Sequence, residues 1–114
     1  MDHCLFCRII KGEIPSAKVY EDEHVVAFKD IHPAAPVHVL VVPKMHIDSL
    51  EGLNEENLNQ VVPIHRAILE VAKVMGINES GYRVIVNCGE GAGQTVLHLH
   101  YHVLGGVKMG EKII

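Results

Sequence analysis

The stretch HLHYH, His98 to His102, leaves this chain few options. Imidazoles alternate with Leu99 and Tyr101, a period of two. In an extended strand, residues i, i+2 and i+4 point to one face. His98, His100 and His102 then share a face, with Cα atoms roughly 6–7 Å apart. Leu97, Leu99, Tyr101 and Val103 point the other way and can pack on a core. A random buried strand would not put three titratable rings on one side.

The rest of the chain supplies the partners for such a strand. LFCRIIKGEIP has apolar residues at Leu5, Phe6, Ile9 and Ile10, a helical spacing ended by Gly12 and Pro15. AKVYEDEHVVAFKD reads as two short strands around a tight acidic turn near residues 21–23. Pro33 and Pro36 bracket HPAAP and exclude a regular element there. VHVLVVP is a dense β-branched run, a buried strand closed by Pro43. One long helix follows, with Asn54 as N-cap and Glu55 and Glu56 in its first turn. Its expected apolar stripe is Leu58, Val61, Val62, Ile68, Leu69, Ala72 and Met75, with Gly76 as the stop. Pro63 inside this pattern predicts a kink, and His65 is expected at the core or the helix edge. YRVIVNCG is a further strand, GEGAG a glycine-rich turn, and TVLHLHYHVL the last strand, ended by Gly105 and Gly106. With no regular strand–helix alternation, the expected class is α+β with an antiparallel sheet.

At 114 residues the chain is read as one domain, residues 1–114. Its net charge of −4 argues against nucleic acid as a general partner. The apolar runs are too short and interrupted to span a membrane. MDHCLFC lacks the pattern of a signal peptide. Three cysteines, an odd number, do not make a disulfide framework and suit a reducing cytoplasm. His3, His24 and His32 look like surface or turn residues, Lys44 and Lys108 like solvated lysines, and Cys88 like a strand residue.

Three readings of the histidine face compete. It is an exposed polar face, or an open metal site for hydrolysis, or a nucleophilic imidazole supported by its neighbours. A single straight strand brings three rings to one ion with difficulty. Two imidazolium charges about 7 Å apart repel by roughly 2 kcal/mol at an effective dielectric of about 20. Charging all three is therefore disfavoured, and the middle ring, His100, feels both neighbours. The preceding NCGEGAGQT adds Gly89, Gly91 and Gly93, whose backbone N–H groups could line a phosphate. Gln94 and Thr95 add side-chain donors.

GQTVLHLHYHVLGG resembles the signature of the histidine-triad nucleotide-binding proteins, with Tyr101 a mild departure at an apolar position. CLFCRIIKGEIPSAKVYEDEHVVAFKDI, HVLVVPKMH and GYRVIVNCGEGAGQ are similar to the same family in the same order. The likeness runs from about Cys4 to Gly106. Leu-Gly-Gly after the last histidine is similar to the nucleoside-phosphoramidate hydrolase branch, where dinucleotide polyphosphate hydrolases more often have Pro-Arg.

The resemblance implies a fold of about five antiparallel strands with one long helix and a short N-terminal helix. It implies a homodimer with a sheet continuous across the interface. It also implies that His100 attacks the α-phosphate of a purine nucleoside phosphoramidate, an adenylated amine, and forms a nucleotidyl-histidine. Water then releases the monophosphate. His102 would contact the phosphate, Thr95 would serve the leaving amine, Asn87 would touch phosphate or leaving group, and His38 would back the nucleophile. Asp30 would hold the ribose hydroxyls. Leu5, Phe6, Ile9, Phe28 and Ile31 would wall the purine, with Gly93 and Gln94 beside the phosphate. Some relatives bind zinc through residues matching Cys4, Cys7, His46 and His98, a closed and hence structural set. The alternatives are a dinucleotide polyphosphate hydrolase or nucleotidyl transferase using the same His100, and a nucleotide-binding regulatory protein with incidental turnover. The short tail VKMGEKII leaves leaving-group selectivity open.

Overall fold

The β-branched runs form a sheet whose central strands are buried on both faces. A computed structural model describes residues 3–114. Its strands are β1 (Lys18–Glu21), β2 (Val25–Lys29), β3 (Val37–Pro43), β4 (Tyr82–Ile85) and β5 (Tyr101–Gly105), in spatial order β1-β2-β3-β5-β4. All neighbours are antiparallel. The expected α+β class and five-stranded sheet are what the structure contains. Helix α2 (Val61–Val74) covers one face and α1 (Leu5–Ile10) the other.

The alternation divides each strand between these layers. Val25, Ala27, Val39, Val41, Leu99, Tyr101 and Val103 pack with Ile64, Ala67, Ile68 and Val71 of α2. Val26, Phe28, Leu40 and Val42 pack with Phe6 and Ile9 of α1. The second face is the one that carries the histidines. Among the described residues no helix is long and apolar enough to cross a membrane.

Helix α2 departs from its expected course. Asn54 does not cap it. Asn54 Oδ1 accepts from the N–H groups of Glu56 and Asn57 at 2.9 and 3.2 Å. That closes a turn, and a 3-10 turn at Leu58–Gln60 precedes the helix. The helix begins at Val61, which puts Pro63 in its first turn. First-turn N–H groups have no partner within the helix, so the missing one removes no bond. The expected kink therefore has no cause. The buried stripe is Pro63, Ile64, Ala67, Ile68, Val71 and Ala72, while Leu58, Val62 and Leu69 are exposed. Two apolar stripes share the same period here, and the small Ala67 and Ala72 let one approach the sheet more closely. His65 lies exposed at the helix edge, its ring 5.9 Å from that of Tyr101. Gly76 follows the helix at φ +71°, which suits a glycine stop.

Two strands are shorter than expected. β4 ends at Ile85, so Cys88 lies beyond it. β5 starts only at Tyr101, because its pairing with β3 runs from Val37↔Gly105 to Val41↔Tyr101 and stops there. Upstream, Leu99 N–H donates instead to Ile47 O at 2.6 Å. The alternation persists through Leu99 but not to Leu97, which is 66% exposed rather than in the core. At the far end Gly105 is required by packing. A Cβ there would lie 2.8 Å from Ile77 Cδ1.

The revised helix phase can be tested by stability. Ile64 is fully buried under the sheet. Ile64→Ala is expected to cost about 2–5 kcal/mol in urea unfolding, as for other large-to-small core changes. A loss near zero would mean that the helix packs in the phase expected from its exposed stripe.

Candidate functional site

Cys4 and Cys7 stand at the start of α1, three residues apart, so both sulfurs face the sheet. His46 follows β3, and His98 precedes β5 in the next segment. The four donor atoms, Cys4 Sγ, Cys7 Sγ, His46 Nδ1 and His98 Nδ1, all lie within 4.8 Å of one another. Cys4 Sγ is 3.2 Å from His98 Nδ1, and Cys7 Sγ is 3.3 Å from His46 Nδ1 and 3.6 Å from His98 Nδ1. The two Nδ1 atoms are 3.1 Å apart. A tetrahedral ion with ordinary zinc–ligand lengths would set these edges at about 3.3 Å for N–N and about 3.6 Å for S–N. The cluster fits such an ion.

The outer nitrogens of these rings strengthen the fit. His98 Nε2 meets Pro43 O at 2.8 Å, and His46 Nε2 meets the Asp48 carboxylate at 2.7 Å. Both partners only accept, so each Nε2 carries the hydrogen when the ring is neutral. The lone pair of each ring is then on Nδ1, aimed into the cluster. This is the usual outer arrangement of ligating histidines. Burial, with the neighbouring His46 and His100 rings, pulls the pKa of His98 down to about 4, which keeps that lone pair free. Burial, with the Cys4 side chain, raises Cys7 to about 11.

The same accounting settles the other two histidines of the triad, although only His102 lies within β5 and His98 and His100 precede it. His100 Nδ1 lies 2.8 Å from the carbonyl oxygen of His98, which accepts. Nδ1 therefore carries the hydrogen, and the free lone pair of a neutral His100 is on Nε2. On β3, Ala34 N–H donates to His38 Nδ1 at 2.9 Å. His38 Nε2 then bears the hydrogen and donates to His102 Nδ1 at 2.9 Å, with Asp30 Oδ2 at 3.4 Å. His102 is left with its own hydrogen on Nε2. The register makes this contact, since His38 faces Leu104 and His102 faces Leu40, so the two rings are diagonal neighbours on one face. Burial, then the nearby His100 and His38 rings, lowers His102 to about 4. Near neutral pH, His102 is a neutral donor.

These rings border a cavity of about 410 Å³ between α1 and the sheet. Leu5, Phe6, Ile9, Phe28 and Ile31 line it, with Asp30 at one side and Thr95, His100 and His102 at the other. The Phe6 ring packs edge-on to His98 and His100 at 5.9 and 5.1 Å. Asp30 Oδ1 accepts from His32 N–H at 2.8 Å. His38 stands behind His102 rather than in the cavity wall.

Three expected residues take other positions. Gln94 is buried and does not line the cavity. Its amide donates to Asp48 O and Val96 O, and its Oε1 accepts from Gly89 N–H, so it braces the loop. Asn87 Nδ2 donates to Ala92 O at 2.8 Å, also within the loop. Gly93 adopts φ +84°, and its N–H donates to Glu90 O. The N–H groups of Gly89, Ala92 and Gln94 are likewise engaged inside the loop. The N–H groups of Gly89 and Gly93 are thus used within the loop, and Thr95, His100 and His102 are the polar side chains that reach the cavity from this side. Sequence reasoning missed Asp48, whose only signal is a carboxylate two residues after a candidate ligand, His46. It also missed Ala34 N–H, which orients His38 through the backbone and leaves no trace in side-chain identity.

Comparisons with known proteins agree with this geometry. The HIT domain model matches residues 11–109. Protein HitA of Neisseria gonorrhoeae is 45% identical over 105 residues, covering 92% of this chain and 97% of that protein. A solved structure of a HIT family hydrolase from Clostridium thermocellum is 58% identical, with a TM-score of 0.98 over 100% of this chain and 99% of that one. A histidine triad protein from Clostridium difficile is 52% identical, with a TM-score of 0.92, covering 98% of this chain and 96% of that one. A domain match over most of the length, joined to such identities, places the chain in the HIT family.

Proposed function

We propose that this protein is a hydrolase of purine nucleoside phosphoramidates, releasing a nucleoside monophosphate through a nucleotidyl adduct on His100. One observation carries the reading: His100 Nδ1–H is held on the carbonyl of His98, which leaves the Nε2 lone pair at the edge of a cavity sized for a nucleoside. A neutral imidazole is the form that attacks phosphorus. In the first step Nε2 bonds to the α-phosphorus and the P–N bond breaks. The amine departs with a proton drawn from solvent and relayed through the Thr95 hydroxyl. The nucleotidylated ring is cationic, and its Nδ1–H points at the His98 carbonyl, a charge-assisted bond that strengthens as the adduct forms. In the second step water attacks phosphorus and gives its proton back to solvent, the P–Nε2 bond breaks and the ring returns neutral. His102 Nε2–H donates to the phosphoryl oxygens throughout. His38 and Asp30 act behind it by fixing its tautomer. Asp30, with Oδ2 only 3.4 Å from His38 Nε2, also accepts from the ribose hydroxyls.

In the same reading the Cys4, Cys7, His46 and His98 cluster holds zinc. With four protein ligands it leaves no open position, so the ion is structural. It would pin α1, β3 and the segment before β5 together. A homodimer is supported by the exposed Val62 and Leu69 on α2, by Leu58 in the 3-10 turn before it, and by the edge strand β4 with its half-exposed Val84. Pairing β4 with its copy would extend the sheet. Free thiols suit a reducing cytoplasm.

Four experiments test this reading. Protein purified without chelator should contain about one zinc per chain, and its removal should lower the melting temperature by roughly 10 °C or more. Elemental analysis without zinc would refute the metal assignment. His100→Ala should lower kcat for an adenosine phosphoramidate by roughly 10³-fold or more while nucleotide affinity stays near normal. Rapid quenching of the wild type should trap one acid-labile nucleotidyl group on the peptide containing His100, and an adduct on another histidine would exclude this chemistry. Asp30→Ala should raise KM for ribonucleotide substrates roughly 10- to 100-fold with a much smaller change in kcat, the loss of a charge-assisted pair of ground-state bonds. An equal fall in kcat at constant KM would contradict the ribose role.

A further inference from the structure

Cys4 and Cys7 stand three residues apart, a spacing that also occurs in redox pairs. Their surroundings suit that chemistry. Cys4 is the N-cap of α1, extended rather than helical, and its Sγ accepts from Cys7 N–H at 3.3 Å. That bond turns the first sulfur toward the residue that carries the second. The two sulfurs lie within 4.8 Å of each other. A disulfide sets them at about 2.05 Å, so they need to close by less than about 3 Å. The third cysteine, Cys88, lies beyond β4 and outside the cluster.

Access differs between the two. A second cavity, of about 470 Å³, shares Leu5, Thr95 and Val96 with the nucleoside cavity and is lined by Cys4 and His46 as well. Cys7 is buried, 7% exposed, and does not line it. A small oxidant therefore meets Cys4 first, and Cys7 stands behind it as the resolving sulfur.

We propose that Cys4 and Cys7 are an oxidation site at which a peroxide makes a disulfide, and that this disulfide frees α1 from the sheet and opens the nucleoside cavity. As metal ligands both sulfurs are thiolates. The Cys4 sulfur attacks one peroxide oxygen, the O–O bond breaks and hydroxide leaves, giving a sulfenic acid. The Cys7 thiolate then attacks the Cys4 sulfur, the S–O bond breaks and a second hydroxide leaves. Two electrons pass from the sulfurs to the peroxide, and buffer protonates the hydroxides. A disulfide offers a metal no thiolate, so only His46 and His98 remain of the cluster. Helix α1 has six residues, too few to be stable alone. Its Leu5, Phe6 and Ile9 wall the nucleoside cavity, so loosening it lowers nucleotide affinity while the sheet and α2 stay in place. The loss of zinc rests on the metal assignment above. The disulfide and its effect on binding do not, and none of the three needs turnover.

The test treats the zinc-loaded protein with stoichiometric hydrogen peroxide. The tryptic peptide that ends at Arg8 carries both cysteines. After alkylation it should be found unalkylated and lighter by two hydrogens, while Cys88 is alkylated. A chromogenic chelator should record zinc release with the same time course. AMP affinity, measured by calorimetry, should fall roughly tenfold or more, as when the binding-competent state drops to about a tenth of the population. Dithiothreitol with added zinc should restore it. Cys88→Ser should respond as wild type does. A disulfide and a loss of AMP affinity in protein that held no zinc would leave the switch standing and refute the metal assignment. Free Cys4 and Cys7 after excess peroxide, oxidation confined to Cys88, or a disulfide that leaves AMP affinity unchanged would overturn the proposal.

Discussion

One residue, His98, ties the structure to its chemistry through three separate atoms. Its Nε2 donates to Pro43 O, its Nδ1 faces the cysteine and histidine cluster, and its carbonyl accepts from His100 Nδ1. The ring is completely buried, where an unpaired polar atom would cost several kcal/mol. Each bond therefore constrains the others. The bond to Pro43 sets the tautomer, the tautomer aims a lone pair at the cluster, and the fixed backbone presents a carbonyl to the next histidine. Donor and acceptor placement in His100 is inherited from this arrangement rather than chosen by His100 itself.

A second relay approaches from β3 and gives the opposite result. Ala34 N–H, His38 and His102 form a chain in which each donor leaves the next ring with its hydrogen on the far side. His100 and His102, two residues apart at the start of β5, thus end with unlike Nε2 atoms, one with a free lone pair and one a donor. No property of the side chains distinguishes them. The distinction comes from a carbonyl beside one and an imidazole N–H beside the other. Low polarity strengthens both assignments, since buried hydrogen bonds are less diluted by water.

Much of the fold was legible because sheets and helices bury faces at different periods. The alternation in VHVLVVP and HLHYHV identified β3 and β5 and the side on which the histidines fall. The helix was legible in existence but not in phase. Two stripes of equal period run along α2, and only contact with Val25, Val39 and Val103 decides which of them is covered. Pro63 misled for a related reason, because its effect depends on where the helix starts, and a local turn at Asn54 moved that start to Val61. Leu97 was assigned to the core by extending an alternation past the point where β3 stops pairing.

The sequence by itself determined that His98, His100 and His102 fall on the α1 side, since the alternation with Leu99 and Tyr101 holds although the regular strand begins only at Tyr101. It also determined the ligand types of the cluster and the acid, hydroxyl and apolar residues available to a nucleotide. Only the tertiary structure decided which nitrogen of each ring is free. That choice rests on carbonyls and amides brought from β3 and the loop before it, and backbone atoms are the same for every residue. It decided, too, that the glycine loop is closed by Gln94 and that Thr95 separates two cavities, because both facts depend on contacts between segments that lie far apart in the chain.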